Sequence, residues 1–433
     1  SALFTPFSRL GLIIIDEEHE QTYKSENSPR YHARETAGYR TKMEHAYLVM
    51  GSATPSLEAY TKAVNGEYRL VKLNARFEDR PLPEVSVVDL REELKNGNRS
   101  ILSRSLQTAI EKRLERGEQA VLFLNRRGYA GFVSCRSCGE ALKCPHCDVA
   151  LTEHNNGRLV CHYCGYEQPR VEKCPVCGSP YIGGFKAGTQ QIEQVVRKAF
   201  PKARVLRMDY DTTRTKGSYE KILSSFTEHK ADILVGTQMI VKGHDFPDVT
   251  LVGAVAADLS LNAADYRCAE RTFQLLTQAV GRSGRGKKAG EAIIQSYHPD
   301  HYSIQAAARQ DYEAFYTQEM NFRKLLGYPP AVGLLTIQIA DKNEGRLEQA
   351  AALLEECLKQ WIGQNEDLSK DGTIQFIGPV NAPVFKVNDI YRKILYIKQE
   401  NYDILIHIRK MAEQCLKEAQ GLESVIFQSD LNE

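Results

Sequence analysis

The sequence contains no apolar run approaching the roughly 18 residues of a membrane-spanning helix. Its longest apolar stretches, Leu12–Ile15 and Val249–Ala257, are strand-sized. The opening SALFTPFSRLGLIIIDEEHE lacks the charged, then apolar, then small-residue order of a secretory leader. There is no surplus of either charge: 56 Lys+Arg stand against 55 Asp+Glu, a formal +1. Any nucleic-acid contact must therefore come from local patches. No internal repeat and no low-complexity segment is present. There is no initiator Met, and the chain opens at the edge of a strand-like segment, so a fragment of a longer protein is expected. What remains is ordinary globular composition, 42% hydrophobic and 26% charged, in a chain long enough for roughly two to four domains.

Residues 1–75 alternate strands and helices: LGLIIIDEE is a buried-strand run ending in acids, and HAYLVMGSATPS a second strand ending in a Gly-Ser turn. Such alternation marks a parallel α/β sheet. Residues 76–105, charged and proline-containing, suit an extended connector, after which SLQTAIEKRLERGEQ (helix) and AVLFLN (strand) start a second α/β unit. A cysteine-rich block interrupts that unit, which resumes through QQIEQVVRKAF, ARVLRMDY, YEKILSSFTEH, ADILVGT, VTLVGAVA, ERTFQLLTQAV and EAIIQSY. From about Leu334 the texture shifts to a small α+β domain. The expected division is 1–75, 76–133 (connector and start of the second unit), 134–180 (insert), 181–330 and 331–433.

Eight of the eleven cysteines form C-x-x-C pairs: Cys135/Cys138, Cys144/Cys147, Cys161/Cys164 and Cys174/Cys177. Zn²⁺ takes four tetrahedral thiolates and each tight pair supplies two, so two Cys₄ zinc sites are expected. Without a secretory leader, zinc in a reducing compartment is the reading and disulfides are not. Between the second and third pairs, DVALTEHNNGRLV reads as strand, Asn-Asn-Gly turn, strand. A hairpin there puts Cys144, Cys147, Cys161 and Cys164 on one ion and draws Cys135, Cys138, Cys174 and Cys177 onto the other. Sequential pairing is the rival. His146, His154 and His162 are superfluous as ligands. Cys268, Cys357 and Cys415 lie in helical patterns and are expected to pack as separate small hydrophobes. Between 135 and 178 five basic residues balance five acids, which suits a structural or strand-separating element.

Asp16 and Glu17 stand just past a hydrophobic strand, at the edge of a parallel sheet where nucleotides bind. Adjacent acids in such a place hold Mg²⁺ through its water shell and orient or deprotonate an attacking water. His19 is placed to couple them to a neighbour. Gly51-Ser52-Ala53-Thr54 ends the next strand. The string Gly236-Thr237-Gln238-Met239-Ile240-Val241-Lys242-Gly243 follows another, and its glycines, Thr237 and Lys242 suit backbone or phosphate contact. Gln278 opens a string that ends a helix with Arg282 and Arg285 three apart. Arginine there can neutralise γ-phosphate charge in a transition state.

In this order, D-E-x-H, S-A-T, G-T-Q-M-I-x-K-G and Q-x-x-G-R-x-G-R resemble the motifs of superfamily-two helicases. LFLNRRGYA (Leu122–Ala130), the eight-Cys insert, KAGTQQIEQ (Lys186–Gln194) and MDYDTT (Met208–Thr213) narrow the resemblance to the replication-restart helicase family, over essentially all 433 residues. The resemblance implies two RecA-like parallel-sheet lobes, the first incomplete, a two-zinc insert in the second lobe and a small α+β C-terminal domain. It also implies ATP- and Mg²⁺-dependent 3′→5′ unwinding at stalled forks, followed by primosome assembly and loading of the replicative helicase. Nested zinc pairing, binding to single-stranded-DNA-binding protein and a bacterial cytoplasmic, nucleoid-associated location are implied as well; no membrane is. The family also carries a fork-binding domain, a winged helix and a G-x-x-x-x-G-K-[ST] loop ahead of the acids, and none occurs here. Gly281–Lys288 is the nearest string, but Lys288 replaces the Mg²⁺-binding hydroxyl and a helix precedes it. These residues alone are therefore expected to hydrolyse no ATP.

Tyr23, Lys24, Arg30, Tyr31, His32, Arg34 and Tyr39 mix rings with cations, as single-stranded DNA requires. Tyr23, Tyr31 and Arg34, with Arg126 and Arg127 beside the insert, are the candidate DNA contacts. Lys242 and His244 are a further pair. Arg392, with Lys386 and Lys393, is the candidate dock for the acidic tail of single-stranded-DNA-binding protein. Two rivals remain: a non-catalytic zinc-ribbon scaffold binding DNA and protein, and an RNA helicase, which gives no reason for the insert.

Overall fold

The computed structural model describes residues 2–25, 30–73, 81–124, 133–146, 150–154, 157–161, 164–184, 188–240, 246–261, 265–286, 288–365 and 374–432. The first lobe pairs β1 (Leu12–Ile15) in parallel with β2 (Tyr47–Met50) across the crossover helix α1 (Ala33–Glu44). Helix α2 (Leu57–Val64) follows, capped by Ser56, whose side chain accepts from Ala59 N. Leu12, Ile14, Tyr47 and Val49 of the strand pair are exposed.

The second lobe opens with β3 (Glu84–Asp89), α3 (Leu90–Lys95), α4 (Arg104–Glu115) and β4 (Gln119–Leu124). The cysteine-rich insert follows as β5 (Val133–Cys135), β6 (Thr152–Glu153), β7 (Arg158–Val160), β8 (Glu167–Pro169) and β9 (Ile182–Gly184). β6, β7 and β8 form a small antiparallel sheet, while β5 pairs with β9 and zips the two ends of the excursion together. The lobe then resumes with α5 (Thr189–Ala199), β10 (Val205–Met208), α6 (Ser218–Thr227), β11 (Ile233–Gly236), β12 (Val249–Val255), α7 (Cys268–Val280), β13 (Glu291–Ser296), α8 (Tyr302–Arg309) and α9 (Tyr312–Leu326).

Its sheet is six-stranded and parallel, in the order β10-β11-β4-β12-β13-β3. Apolar layers cover both faces: Phe226, Phe246, Phe273 and Phe315 on one, Leu106, Ile110, Val196 and Phe200 on the other. That is why every residue of β4 and β12 is buried and why both read as unbroken hydrophobic runs. The segment expected as an extended connector does more than connect. Residues 84–89 add an edge strand beside β13, from Glu84 opposite Glu291 to Asp89 opposite Ser296. An edge strand pairs on one side only, so EVSVVD keeps polar residues that hide it in the sequence.

The C-terminal domain is β14 (Gly333–Asp341), α10 (Glu344–Gln364), β15 (Ile374–Val387), β16 (Ile390–Gln399), α11 (Tyr402–Glu418) and β17 (Ile426–Leu431), an antiparallel sheet ordered β15-β16-β14-β17. Leu347, Leu354 and Leu358 of α10 and Leu405, Ile408 and Ala412 of α11 pack on Leu335, Ile337, Ile339 and Ile397. The two helices are joined by a Cys357–Cys415 disulfide, which corrects the expectation of separate small hydrophobes. The partners lie 58 residues apart, and only the shared sheet face beneath both helices brings them together. No helix among the described residues is long and apolar enough to cross a membrane.

Helices α1 and α8 are capped by histidine. His32 Nδ1 accepts from Arg34 N at 3.2 Å, and His301 Nδ1 accepts from Ser303 N at 3.3 Å. An acceptor nitrogen must be unprotonated. Burial, then Arg34, pushes His32 down to about 4, and burial, then His298 and Lys143, does the same to His301. The unfolded chain takes up these protons near pH 6.5 and the folded chain only near 4, so stability falls as pH drops through that window. Replacing both residues with Asn, which caps without titrating, is expected to flatten the pH dependence of the melting midpoint between pH 6.5 and 5.

Candidate functional site

Glu270, Gln274, Gln278 and Arg282 follow one another at four-residue spacing, so they share one face of α7 and of the turn that ends it. That face meets the first lobe. Just ahead of α7, Arg267 Nη2 lies 2.9 Å from Glu58 Oε1. Glu270 Oε1 accepts from Leu57 N at 3.0 Å, and Gln274 Nε2 points to Thr54 O at 3.5 Å. Gln278 Nε2 donates to His19 Nε2 at 2.7 Å. With that nitrogen accepting, the His19 proton sits on Nδ1, 2.6 Å from Ser52 Oγ and 3.6 Å from Glu17 Oε2.

The acids divide their roles. Asp16 ends the strand run with an exposed carboxylate, its Oδ1 accepting from Glu17 N at 2.9 Å. A Cβ on Gly51 would stand 3.4 Å from that oxygen. Glu17 takes a left-handed backbone (φ 48°), and its buried Oε2 has no hydrogen-bond partner among the described residues. This orphaned acceptor beside an exposed carboxylate fits an Mg²⁺–water pair, the chemistry expected of an acid pair at this sheet edge. Glu18, the third acid of the string, is structural. It is buried and takes Ser56 N at 2.6 Å, Ser56 Oγ at 3.0 Å and Arg34 Nη1 at 2.7 Å.

Beneath this seam lies a buried charge cluster that the sequence reading missed. Arg323 of α9 lies 2.6 Å from Glu319 and 3.1 Å from Glu270. Burial opposes ionisation of Glu58, yet Arg267, Arg34 and Arg323 hold it down to about 2. Burial and then Glu58 push Glu270 up. Tyr312 OH reaches Pro55 O at 2.9 Å, and Tyr60 meets the rings of Tyr312 and Tyr316 edge-on. Arg267 also donates to Asn432 O at 2.5 Å, so the C-terminal domain joins the same knot. The only hint in the sequence is the Glu319/Arg323 pair at helical spacing.

At the far end of α7 the Gly281–Gly286 turn is wedged between strands. Ser283 Oγ is buried 3.0 Å from the carbonyls of both Thr250 and Glu291. Gly284 (φ 68°) leaves no room for a side chain, since a Cβ there would stand 2.5 Å from Gly290 N. Arg282 N bonds Ala279 O at 3.0 Å, and Arg285 Nε donates to Gly281 O at 3.0 Å. Gly236 and Thr237 close β11, with Gly236 packed against the Met208 carbonyl. Lys242, Gly243, His244, Arg126 and Arg127 lie outside the described residues.

Among the other DNA candidates, Tyr23 OH donates to Asp16 O at 2.8 Å, tying the aromatic loop to the acid strand. Tyr31 meets Phe4 edge-on at 5.2 Å. Arg34 is buried on Glu18 and Ser56, which corrects its assignment as a phosphate contact: its charge is already used inside the lobe. Arg392 donates to Val384 O at 2.6 Å, Lys393 pairs with Glu348 at 2.9 Å and Lys386 with Asp389 at 3.0 Å.

The cysteines gather in the nested order: Cys135, Cys138, Cys174 and Cys177 in one cluster, Cys144, Cys161 and Cys164 in a second. Cys147 lies outside the described residues. In three pairs the glycine after the second cysteine donates its N–H to the carbonyl of the first: Gly139 to Cys135 at 2.8 Å, Gly165 to Cys161 at 3.0 Å and Gly178 to Cys174 at 2.8 Å. A tetrahedral ion with sulfurs at about 2.3 Å sets them about 3.8 Å apart. Cys135–Cys177 at 3.7 Å, Cys138–Cys174 at 3.6 Å and Cys144–Cys164 at 3.5 Å fit it. Gly139 also docks the insert on the second lobe. Its carbonyl meets His298 Nε2, and a Cβ there would stand 2.4 Å from Tyr297 O. On its other side Gly165 lies against Val380 of the C-terminal domain.

Two outcomes follow. A Cys135→Ser/Cys174→Ser double variant is expected to lose one zinc by elemental analysis, because both ligands serve one ion, whereas Cys135→Ser/Cys144→Ser loses both; sequential pairing reverses this. Glu270→Ala strands Leu57 N and takes from Arg323 the more distant of its two carboxylate partners, leaving Glu319, and is expected to cost about 1–3 kcal/mol in denaturation, with Glu270→Gln milder.

Family models match three stretches: the PriA DNA helicase Cys-rich region at 144–169, the helicase conserved C-terminal domain at 184–287 and the primosomal protein N C-terminal domain at 324–430. The replication restart protein PriA of Bacillus subtilis is 47% identical over 100% of this chain and 53% of its own length. That of Synechocystis is 43% identical over 96% of this chain and 50% of its own length, and that of Treponema pallidum 38% identical over 100% and 63%. The chain thus spans about half the length of the curated relatives it matches. Among solved structures, the Mycobacterium smegmatis helicase Lhr bound to ssDNA and AMP-PNP has a TM-score of 0.38 at 13% identity, covering 70% of this chain and 31% of that one, a likeness too slight to carry an argument. With relatives of one name aligned along the whole chain, and their cysteine-rich and C-terminal modules both matched, the chain belongs to the family of replication restart protein PriA.

Proposed function

We propose that this chain is the motor portion of an ATP-dependent 3′→5′ DNA helicase that acts in replication restart at stalled forks. The carrying observation is the His19–Gln278 hydrogen bond, which ties Glu17 and Ser52 of one lobe to the arginine-bearing end of α7 in the other. In this reading Asp16 holds Mg²⁺ through water and Glu17 orients the attacking water. Arg282 and Arg285 meet the developing phosphate charge, and Gly236, Thr237, Lys242 and Gly243 contact nucleotide or strand. His19 and Gln278 report lobe closure to the acid pair. The nested cysteines hold two zinc ions, and Tyr23, Tyr31, Arg126 and Arg127 touch single-stranded DNA. Single-stranded-DNA-binding protein, primosome components and helicase loaders are the partners, in the cytoplasm. The expected limits 1–75, 76–133, 134–180, 181–330 and 331–433 belong to the same reading.

The rival scaffold reading draws on one observation, the lack of a G-x-x-x-x-G-K-[ST] string in these residues. ATPase assays separate the two. The 433 residues alone are expected to be inactive. A chain extended to include a phosphate-binding loop is expected to show DNA-stimulated hydrolysis. Glu17→Gln in that chain is expected to lower it about 10²–10⁴-fold with DNA affinity within about twofold. An extended chain with no hydrolysis, or a fully active Glu17→Gln, would sink the motor reading.

A further inference from the structure

The turn after β10 carries an aromatic ring that contributes little to the core. Tyr210 is 73% exposed, and the Arg214 guanidinium lies over its ring, 5.1 Å from the centroid. The turn beneath is stiff. The buried Asp209 carboxylate accepts from Thr212 N at 2.9 Å and from Thr189 Oγ1 at 2.5 Å. Asp209 N donates to Thr212 Oγ1 at 2.9 Å, and Thr213 Oγ1 donates to Asp209 O at 2.7 Å. With the backbone that carries it fixed this way, the ring loses only side-chain freedom when a flat partner stacks on it.

Its surroundings point to a strand of nucleic acid. The turn stands at the C-terminal edge of the sheet, where β10, β11 and β4 run parallel and end together. It packs on the Gly236–Ile240 string: Met208 O closes over Gly236, and Thr213 Oγ1 lies 3.9 Å from Met239 Sδ. Thr212 borders a shallow groove of about 400 Å³ whose lining includes Gln190, Gln194, Arg197, Arg207 and Glu193, the last paired with Arg197 at 2.9 Å and with Arg207 at 3.7 Å. Among the described residues Arg214 is paired with the exposed Asp211 at 3.1 Å, a surface contact that a phosphate displaces at small cost.

We infer that Tyr210 and Arg214 form a stacking ledge for single-stranded DNA on the second lobe, a base resting on the open face of Tyr210 and the adjacent phosphate held by Arg214. Stacking on an aromatic ring tolerates any base, as a translocating strand requires. The inference rests on the DNA-binding part of the proposed function and adds a contact to it.

The test is binding of fluorescein-labelled oligo-dT to the 433-residue chain by anisotropy. Tyr210→Ala is expected to weaken binding roughly five- to a hundredfold with an unchanged melting midpoint. Tyr210→Trp is expected to bind like the parent and to show emission quenching beyond that of Trp361, the single tryptophan of the sequence. Arg214→Gln is expected to lower the slope of log K against log salt by about 0.7. Binding by the parent chain with Tyr210→Ala unaffected, or Tyr210→Trp unquenched, overturns the ledge and leaves the DNA-binding reading standing. No oligo-dT binding by the parent chain overturns both.

Discussion

The structure turns on one helix face that must carry charged and polar groups into a largely buried interface. Arg267, Glu270, Gln274 and Gln278 present guanidinium, carboxylate and amides to the first lobe, and each has a named partner there. Burying such groups is costly unless every one is matched, and an unmatched one destabilises by far more than a matched pair stabilises. The face therefore tolerates few alternative dockings of the two lobes. A greasy seam of equal area would slide; this one has a register.

From that register the chemistry follows. Fixing Gln278 against His19 sets the tautomer of the ring, and the ring in turn addresses both Ser52 and Glu17. The turn carrying Arg282 and Arg285 is pinned by Ser283 between β12 and β13 rather than left as a loop. The acid pair and the arginine turn are thus each anchored to a sheet, with one hydrogen-bonded histidine between the sheets. Arg267 extends the same logic to a third body, since it touches Glu58 and Asn432 at once.

Much of this was legible in the residues. The unbroken apolar runs of β4 and β12 announced a doubly covered parallel sheet, and the Asn-Asn-Gly turn inside the cysteine block announced its nesting. What the sequence hid are relations between distant segments. In Asp16-Glu17-Glu18 nothing local says that the third acid turns inward to Ser56 and Arg34 while Asp16 stays exposed and Glu17 approaches His19. Arg34 looked like a phosphate ligand because its neighbours are aromatic and basic, yet its partner lies 16 residues upstream. β3 was masked by its polar edge, and the Cys357–Cys415 link by the length of chain between its ends. Helix α9 supplies both Arg323 and Tyr312, and nothing in its local spacing says that they meet Glu270 and Pro55 of distant segments.

The β5–β9 pairing has a consequence for how the second lobe assembles. The insert leaves after β4 and returns before α5, and its two ends are already hydrogen-bonded to each other, Val133 opposite Gly184. Loop-closure entropy grows only slowly with length, and a zipped neck removes most of even that penalty. To the strands that must find β4, a whole metal-binding module counts as little more than a tight bend. Its size is thereby uncoupled from the speed and fidelity with which the sheet around it forms.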